Sequence, residues 1–254
     1  LTIHDRDFRI WDTVGLNESP MGAMDDMLAF AAGYRLLKNL NEGVSLMIFC
    51  MRAPRLTQAG KKNWKLFHDI ICNKQVPTVM AITGLENEDM DKWWKNNEVH
   101  FTKCKVEPTK TTFRTFELGV QDDVMATDGY VEIQSDAGVA CITATKGKYV
   151  ERRGEYRFEE EYAQSRLKML KLVYEAHLEE PWQMEPVKWY TDVVHSVTEG
   201  EGCSKRDVEK RIRFVGMGLY EVMSRWGIKD VAEACRVVDA LENEENGLPR
   251  VDTV

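Results

Sequence analysis

The chain has 254 residues, 43% hydrophobic and 30% charged, a composition that excludes a disordered or fibrous protein and fits a folded one with a packed core. Its net charge of −8 excludes a broad basic footprint for nucleic acid or anionic lipid. The longest apolar runs, residues 44–51 and 76–82, fall far short of the roughly 20 residues that cross a bilayer, so no transmembrane segment is expected.

The length accommodates one α/β core of about 150 to 200 residues with a smaller appendage. The six cysteines, Cys50, Cys72, Cys104, Cys141, Cys203 and Cys235, show no C-x-x-C spacing, and several lie in apolar stretches where a thiol packs as a small hydrophobe. That usage points to a reduced, cytoplasmic compartment. The first residue is Leu1, so the lack of a signal peptide carries no information.

Taken in chain order, residues 1–3 and 8–11 are short apolar runs around the polar His4-Asp5-Arg6-Asp7, which reads as a tight hairpin whose second strand delivers Asp12. After a loop over 16–22, Met24, Met27, Leu28, Ala31 and Tyr34 recur at three- and four-residue steps, the pattern of a helix ending near Leu40, with Asn41-Glu42-Gly43 as its stop. Residues 44–50 are continuously apolar, as in a parallel strand covered on both faces. Thr57 is placed to cap a helix carrying Trp64, Phe67, Ile70 and Ile71 on one face, and residues 77–82 form the next buried strand. Strands alternating with helices predict a mostly parallel sheet with helices on both faces and right-handed connections.

A short helix is expected over 90–97, with Trp93 and Trp94 supplying apolar area. Residues 100–134 mix strand formers with Pro108, Gly119 and an Asp-rich turn region, the reading being an irregular insertion with a hairpin. Residues 138–145 resume the parallel-strand pattern. Residues 158–177 read as a helix with Glu159, Glu160 and Glu161 at its start and Arg166, Lys168 and Lys171 later, a charge order that suits the helix dipole. Beyond Pro181 and Pro186, residues 187–245 read as two or three helices broken near 200–202 and at Gly227.

Three strings carry possible chemistry. Asp12-Thr13-Val14-Gly15 closes an apolar strand, a context in which a carboxylate holds a magnesium-bound water and a glycine N–H approaches a γ-phosphate; four-residue D-x-x-G strings are common, and alone this one reads first as a strand ending in a turn. Two predicted strands later comes Thr83-Gly84-Leu85-Glu86, whose carboxylate can accept hydrogen bonds from N1–H and the exocyclic amine of guanine, an arrangement adenine does not offer. Thr143-Ala144-Thr145-Lys146 follows the last predicted strand, where backbone N–H groups can face a base. The three strings come in order, each at the carboxyl end of a predicted parallel strand, the edge at which open α/β sheets bind ligands.

Residues 8–18, 81–86 and 141–148 together resemble G-domain proteins of fungi, relatives of the septin-like, immune-associated and chloroplast-import GTPases in the P-loop GTPase superfamily. The resemblance covers residues 1–177 apart from an unmatched insertion at about 107–134, and divides the chain into a truncated G domain over 1–180 and a helical extension over 181–254. The resemblance says nothing of the tail, whose helical reading rests on its residue pattern; it implies that Asp12 is the magnesium-side carboxylate and Gly15 the γ-phosphate sensor. Thr83 and Glu86 would be the guanine readers and Thr143 and Ala144 the base-backing turn, with Thr13 and Gly84 completing the nucleotide-binding positions. Gly84 stands where the family has a lysine whose alkyl stem covers the base, and Leu16 stands where Ras-like enzymes have the water-orienting glutamine.

The implied ligand is GTP or GDP with Mg2+, and the implied partners are a guanine nucleotide and a protein or second copy bound through the G domain. No G-x-x-x-x-G-K-[ST] string occurs in the sequence; the nearest glycine-rich string, Gly216-Met217-Gly218, lies in a helical pattern. Because a P-loop supplies most of the N–H donors for a triphosphate, weak or no hydrolysis is expected. The family's first strand is also missing from between the strands of 8–11 and 44–50, leaving apolar edges open, as in a fragment, a truncated gene model or a degenerate paralogue. Two other readings stand beside this one. The first is a nucleotide-free interaction module using 16–27 and the tail. The second is an unrelated open α/β fold, told apart by whether Asp12, Glu86 and Ala144 converge on one sheet edge.

Overall fold

The uninterrupted apolar run from Val79 to Ile82 forms the middle of a three-stranded parallel sheet, and Val79, Met80 and Ile82 are wholly buried. A computed structural model describes residues 1–4, 6–13, 15–16, 23–111, 138–199 and 206–242, with backbone alone for 23–25, 191–199 and 206–214. Two compact units make up the chain: Leu1–Asp12, Leu40–Trp64 and Lys74–Gln183 form the first, and Thr13–Asn39, Lys65–Asn73 and Met184–Val254 the second.

The first unit holds the sheet. Its strands are β3 (Met47–Arg52), β4 (Thr78–Thr83) and β5 (Val139–Cys141), in that spatial order, with β1 (Thr2–Ile3) and β2 (Arg6–Asp7) forming a separate antiparallel hairpin. β3 and β4 pair from Met47↔Thr78 to Arg52↔Thr83, and β4 and β5 from Met80↔Val139 to Ile82↔Cys141. Helices cover both faces, as the alternating pattern predicts. On one face Met80, Ile82, Val139 and Cys141 pack with Trp64 of α2 (Gln58–Trp64) and with Trp93, Trp94 and Phe101 of α3 (Met90–Lys103). On the other, Val79 and Ala140 pack with Leu172 and Ala176 of α4 (Glu159–Ala176). Each fully buried large apolar side chain contributes roughly 1.5–3 kcal/mol, so these two layers fix the register of the sheet.

Caps set the helix starts. Thr57 Oγ1 accepts the Gly60 N–H at 3.0 Å, as expected from the sequence, and Asp89 Oδ1 accepts the N–H groups of Asp91 and Lys92 at 3.2 Å each. α3 runs to Lys103 instead of stopping at 97, because Phe101 extends the tryptophan face. The hairpin expected within 100–134 falls largely on residues 112–137, outside the described residues. A further short hairpin, β6 (Tyr149–Val150) with β7 (Glu155–Tyr156), precedes α4.

Two expectations for the first unit fail. The hairpin around His4 forms, with His4 at φ 54, but its second strand is β2, and residues 8–11 are not a strand. Phe8 ends the hairpin by exchanging bonds with Leu1, and its ring meets His177 edge-on at 5.1 Å. Beyond it Ile10 and Trp11 are 62% and 51% exposed. An apolar run becomes a strand only where a neighbouring backbone offers partners, and residues 9–12 show no backbone partner among the described residues. β3 also begins later than expected, because Val44 pairs instead with Trp182, donating to its carbonyl at 2.8 Å and accepting its N–H at 2.9 Å.

In the second unit α1 (Ala23–Asn39) buries Met27, Phe30, Ala31 and Tyr34, whereas Leu28, expected on the apolar face, is 50% exposed. Phe30 takes its place through ring contacts with Tyr34, Phe67 and Trp226. Phe67 lies in a π-helical stretch, Lys65–Ile71, that continues the chain from α2; this wider helix alters the side-chain spacing from the α-helical one used in the sequence reading. α5 (Met217–Trp226) and α6 (Val231–Glu242) are the two expected helices, separated by Gly227, which caps α5 in the left-handed conformation at φ 71.

The third expected helix is absent, and the tail is therefore not wholly helical. Residues 187–216 instead carry a hairpin, β8 (Tyr190–Glu199) with β9 (Arg206–Val215), in register from Tyr190↔Val215 to Glu199↔Arg206. Thr191, Val193, Val194, Val197 and Thr198 are β-branched, and the glycine pair at 200 and 202 is turn chemistry.

Candidate functional site

The carboxyl ends of β3, β4 and β5 lie side by side, so the residues leaving them share one edge of the sheet. Arg52 pairs with Thr83, and Ile142 N–H donates to Ile82 O at 2.9 Å beyond the last β4–β5 pair. Adjacent strands are about 4.8 Å apart, which sets the turn after β4 between Arg52 and the turn after β5. Of the candidate residues, Thr83, Gly84, Glu86, Thr143 and Ala144 are brought to this edge.

The threonines are structural there. Thr83 Oγ1 donates to Met51 O at 3.3 Å and its carbonyl accepts Ala53 N–H at 2.8 Å, so both groups hold β3 against β4. Thr143 is 1% exposed; its N–H donates to Ser165 Oγ at 2.8 Å and its hydroxyl faces Met90 Sδ at 3.3 Å. Thr143 is buried and Thr83 half-buried, and each hydroxyl has a partner within the fold. Glu86 differs: it is half-buried at the corner of a turn closed by Glu88 N–H to Leu85 O at 3.0 Å, and it has no hydrogen-bond or ion-pair partner among the described residues. Leu85, 1% exposed, anchors that turn in the apolar layer below.

Gly84 has φ +79, the left-handed region that favours glycine. A Cβ placed on it would stand 2.9 Å from Cγ, 3.4 Å from Nε and 3.6 Å from Cζ of Arg52. The exposed Arg52 thus lies across the bare backbone of Gly84, and its guanidinium has no ion pair or hydrogen bond among the described residues. The sequence reading missed this residue. An arginine ending one apolar strand, with a glycine just past the end of the next, was the available signal.

After β5, Ala144 and Thr145 are exposed and Gly147 N–H donates to Thr145 Oγ1 at 3.1 Å. The Lys146 ammonium is engaged by Glu159 at 3.7 Å and lies 5.6 Å and 5.7 Å from the Tyr156 and Tyr162 ring centres. It therefore braces the start of α4. Lys148 is exposed, and its carbonyl accepts Arg157 N–H.

Asp12, Thr13 and Gly15 do not follow a strand of this sheet. Asp12 and Thr13 are exposed and follow no strand of the sheet, Asp12 closing the N-terminal segment of the first unit while Thr13 and Gly15 belong to the second. For Mg2+, the chain offers here one exposed carboxylate. Among the described residues no group of three or more His, Cys, Asp or Glu side chains is arranged to hold a metal. The ion's octahedral shell would need water and ligand oxygens in every other position, so these residues do not by themselves form a Mg2+ site.

Comparison with protein-family models, with curated proteins and with solved structures finds no match. The α/β architecture with a three-stranded parallel sheet is compatible with Rossmann-like and P-loop-like folds.

Proposed function

We propose that this chain binds a guanine nucleotide through its base, at the sheet edge formed by Arg52, Gly84, Glu86 and the turn at Ala144, with weak or no hydrolysis of GTP. The observation that carries the reading is Glu86: a half-buried carboxylate without an internal partner, on a tight turn directly after the central strand, beside the exposed turn after β5. Open α/β sheets bind ligands at this edge. A carboxylate there selects guanine because it accepts from two donors on one edge of that base.

Backbone groups of the Ala144 turn would flank the base, Thr83 and Thr143 holding the two turns in place from within the fold. Asp12 is left outside the reading, and no chemical step is assigned to magnesium. Weak turnover is read from Leu16, which stands after Gly15 where Ras-like enzymes have the water-orienting glutamine.

The test is equilibrium binding of GDP and ADP to the full chain by calorimetry. GDP is expected to bind more tightly than ADP, and Glu86→Ala to lower GDP affinity about tenfold to a hundredfold, the range for losing a hydrogen bond to a charged group. Equal affinity for GDP and ADP, or no affinity for either, would overturn it. The alternative, a nucleotide-free interaction module, is favoured by Ile10 and Trp11, two adjacent large apolar side chains that are more than half exposed.

A further inference from the structure

We propose that Arg52 is a base-positioning residue, its guanidinium plane stacking on the purine ring whose edge Glu86 reads. This rests on the guanine-binding reading and adds a second face to it.

The geometry starts from β3. Arg52 ends that strand directly opposite Thr83, and its side chain turns toward β4, passing over Gly84 with Cγ, Nε and Cζ successively 2.9, 3.4 and 3.6 Å from where a Cβ would stand. The stem therefore occupies the space that any other residue at position 84 would fill. Its head is held close to the backbone two residues before Glu86. The Arg52 side chain is exposed and has no carboxylate or carbonyl partner among the described residues.

A guanidinium is a flat, weakly hydrated cation, which favours stacking on an aromatic face over solvation in the way an ammonium prefers. A planar ring presented edge-on to Glu86 offers such a face. The other chemistry open to an unpaired arginine is a phosphate oxygen. The ring is preferred because Arg52 lies along the exit of β4, the strand that carries the base reader, and packs on it over Gly84.

The test titrates the full chain with guanosine and with GDP, using wild type, Arg52→Met and Arg52→Lys. Methionine keeps a stem over Gly84 and loses the plane; lysine keeps the charge and loses the plane. Both variants are expected to lose affinity by roughly tenfold, and by the same factor for guanosine as for GDP. Circular dichroism confirms that each variant is folded. A loss confined to GDP makes Arg52 a phosphate contact and overturns the proposal, as does wild-type affinity in both variants, while leaving guanine binding intact. Failure of wild type to bind either ligand overturns the guanine reading itself and this inference with it.

Discussion

Ser165 holds Thr143: its Oγ accepts the Thr143 backbone N–H at 2.8 Å, while its own hydroxyl donates to the carbonyl of Glu161 at 2.6 Å one helical turn back. Both residues are buried, Ser165 at 3% exposure and Thr143 at 1%. At its carboxyl end strand β5 stops here, since the backbone leaves the ladder after Ile142 to meet a side chain of α4.

Ser165→Ala should therefore leave a buried N–H without an acceptor, at a cost of about 1–3 kcal/mol. Urea unfolding followed by circular dichroism measures it. Thr143→Ala removes only the contact of its hydroxyl with sulfur and keeps the N–H bond, so its cost should be distinctly smaller. If the two variants lose equal stability, the backbone bond is not what fixes the turn.

At position 84 two effects can be separated. Gly84→Ala places a Cβ in the left-handed region, worth about 1–2 kcal/mol, and against the Arg52 stem. Adding Arg52→Ala to Gly84→Ala removes the clash and leaves the backbone strain. The double variant is expected to be more stable than the additive sum of the two single variants. An additive outcome would mean that the arginine stem does not lie on the glycine.

Parts of this fold are legible in the sequence because their signals are local. β4 reads correctly because a strand buried on both faces is apolar without interruption, and α4 because three glutamates open it, the charge that suits a helix start. Residues 8–11 mislead because a strand needs a partner edge, a non-local fact no run of apolar residues contains. β8 misleads differently: Tyr190, Val193, Val194 and Val197 also fit helical spacing, and only their β-branching argues for the strand. At the candidate site, Glu86 and Ala144 follow from strand ends. The internal engagement of Thr83 and Thr143 and the turn of Arg52 toward Gly84 depend on packing.

In the second unit Glu242 joins three donors. Tyr34 Oη donates to Oε1, Trp189 Nε1 donates to the same oxygen at 2.9 Å, and Lys38 Nζ to Oε2 at 3.0 Å. Burial pushes the Glu242 carboxyl up, but the hydrogen bonds from Tyr34, Trp189 and Lys38 outweigh it and hold the carboxyl below its ordinary value of 4.5. Burial, reinforced by Glu242, raises the Tyr34 phenol well above its ordinary 10.0. The signs follow from linkage. A depressed acid contributes stability above its unfolded value and loses it as pH falls through the folded value; a raised phenol contributes below pH 10 and loses it at higher pH. Stability should thus decline on acidification below pH 4.5 and on the alkaline side above 10. Tyr34→Phe should cost about 1.5–3 kcal/mol at neutral pH and flatten the alkaline limb, both read from urea midpoints across pH.

The reach of the nucleotide reading is decided at Asp12. Its carboxylate is exposed on a segment that joins no strand, so Asp12→Ala should change unfolding free energy by less than about 0.5 kcal/mol, as for ordinary surface substitutions. Glu86, by contrast, sits on the turn after the central strand. If recognition is through the base alone, Asp12→Ala leaves GDP affinity within about twofold of wild type in the presence of Mg2+, whereas Glu86→Ala lowers it tenfold or more. Calorimetric titration of both variants, with and without Mg2+, makes the comparison. A Mg2+-dependent loss on Asp12→Ala would bring the N-terminal segment into the site. Equal GDP affinity in all three proteins would instead remove the base-reading role from Glu86.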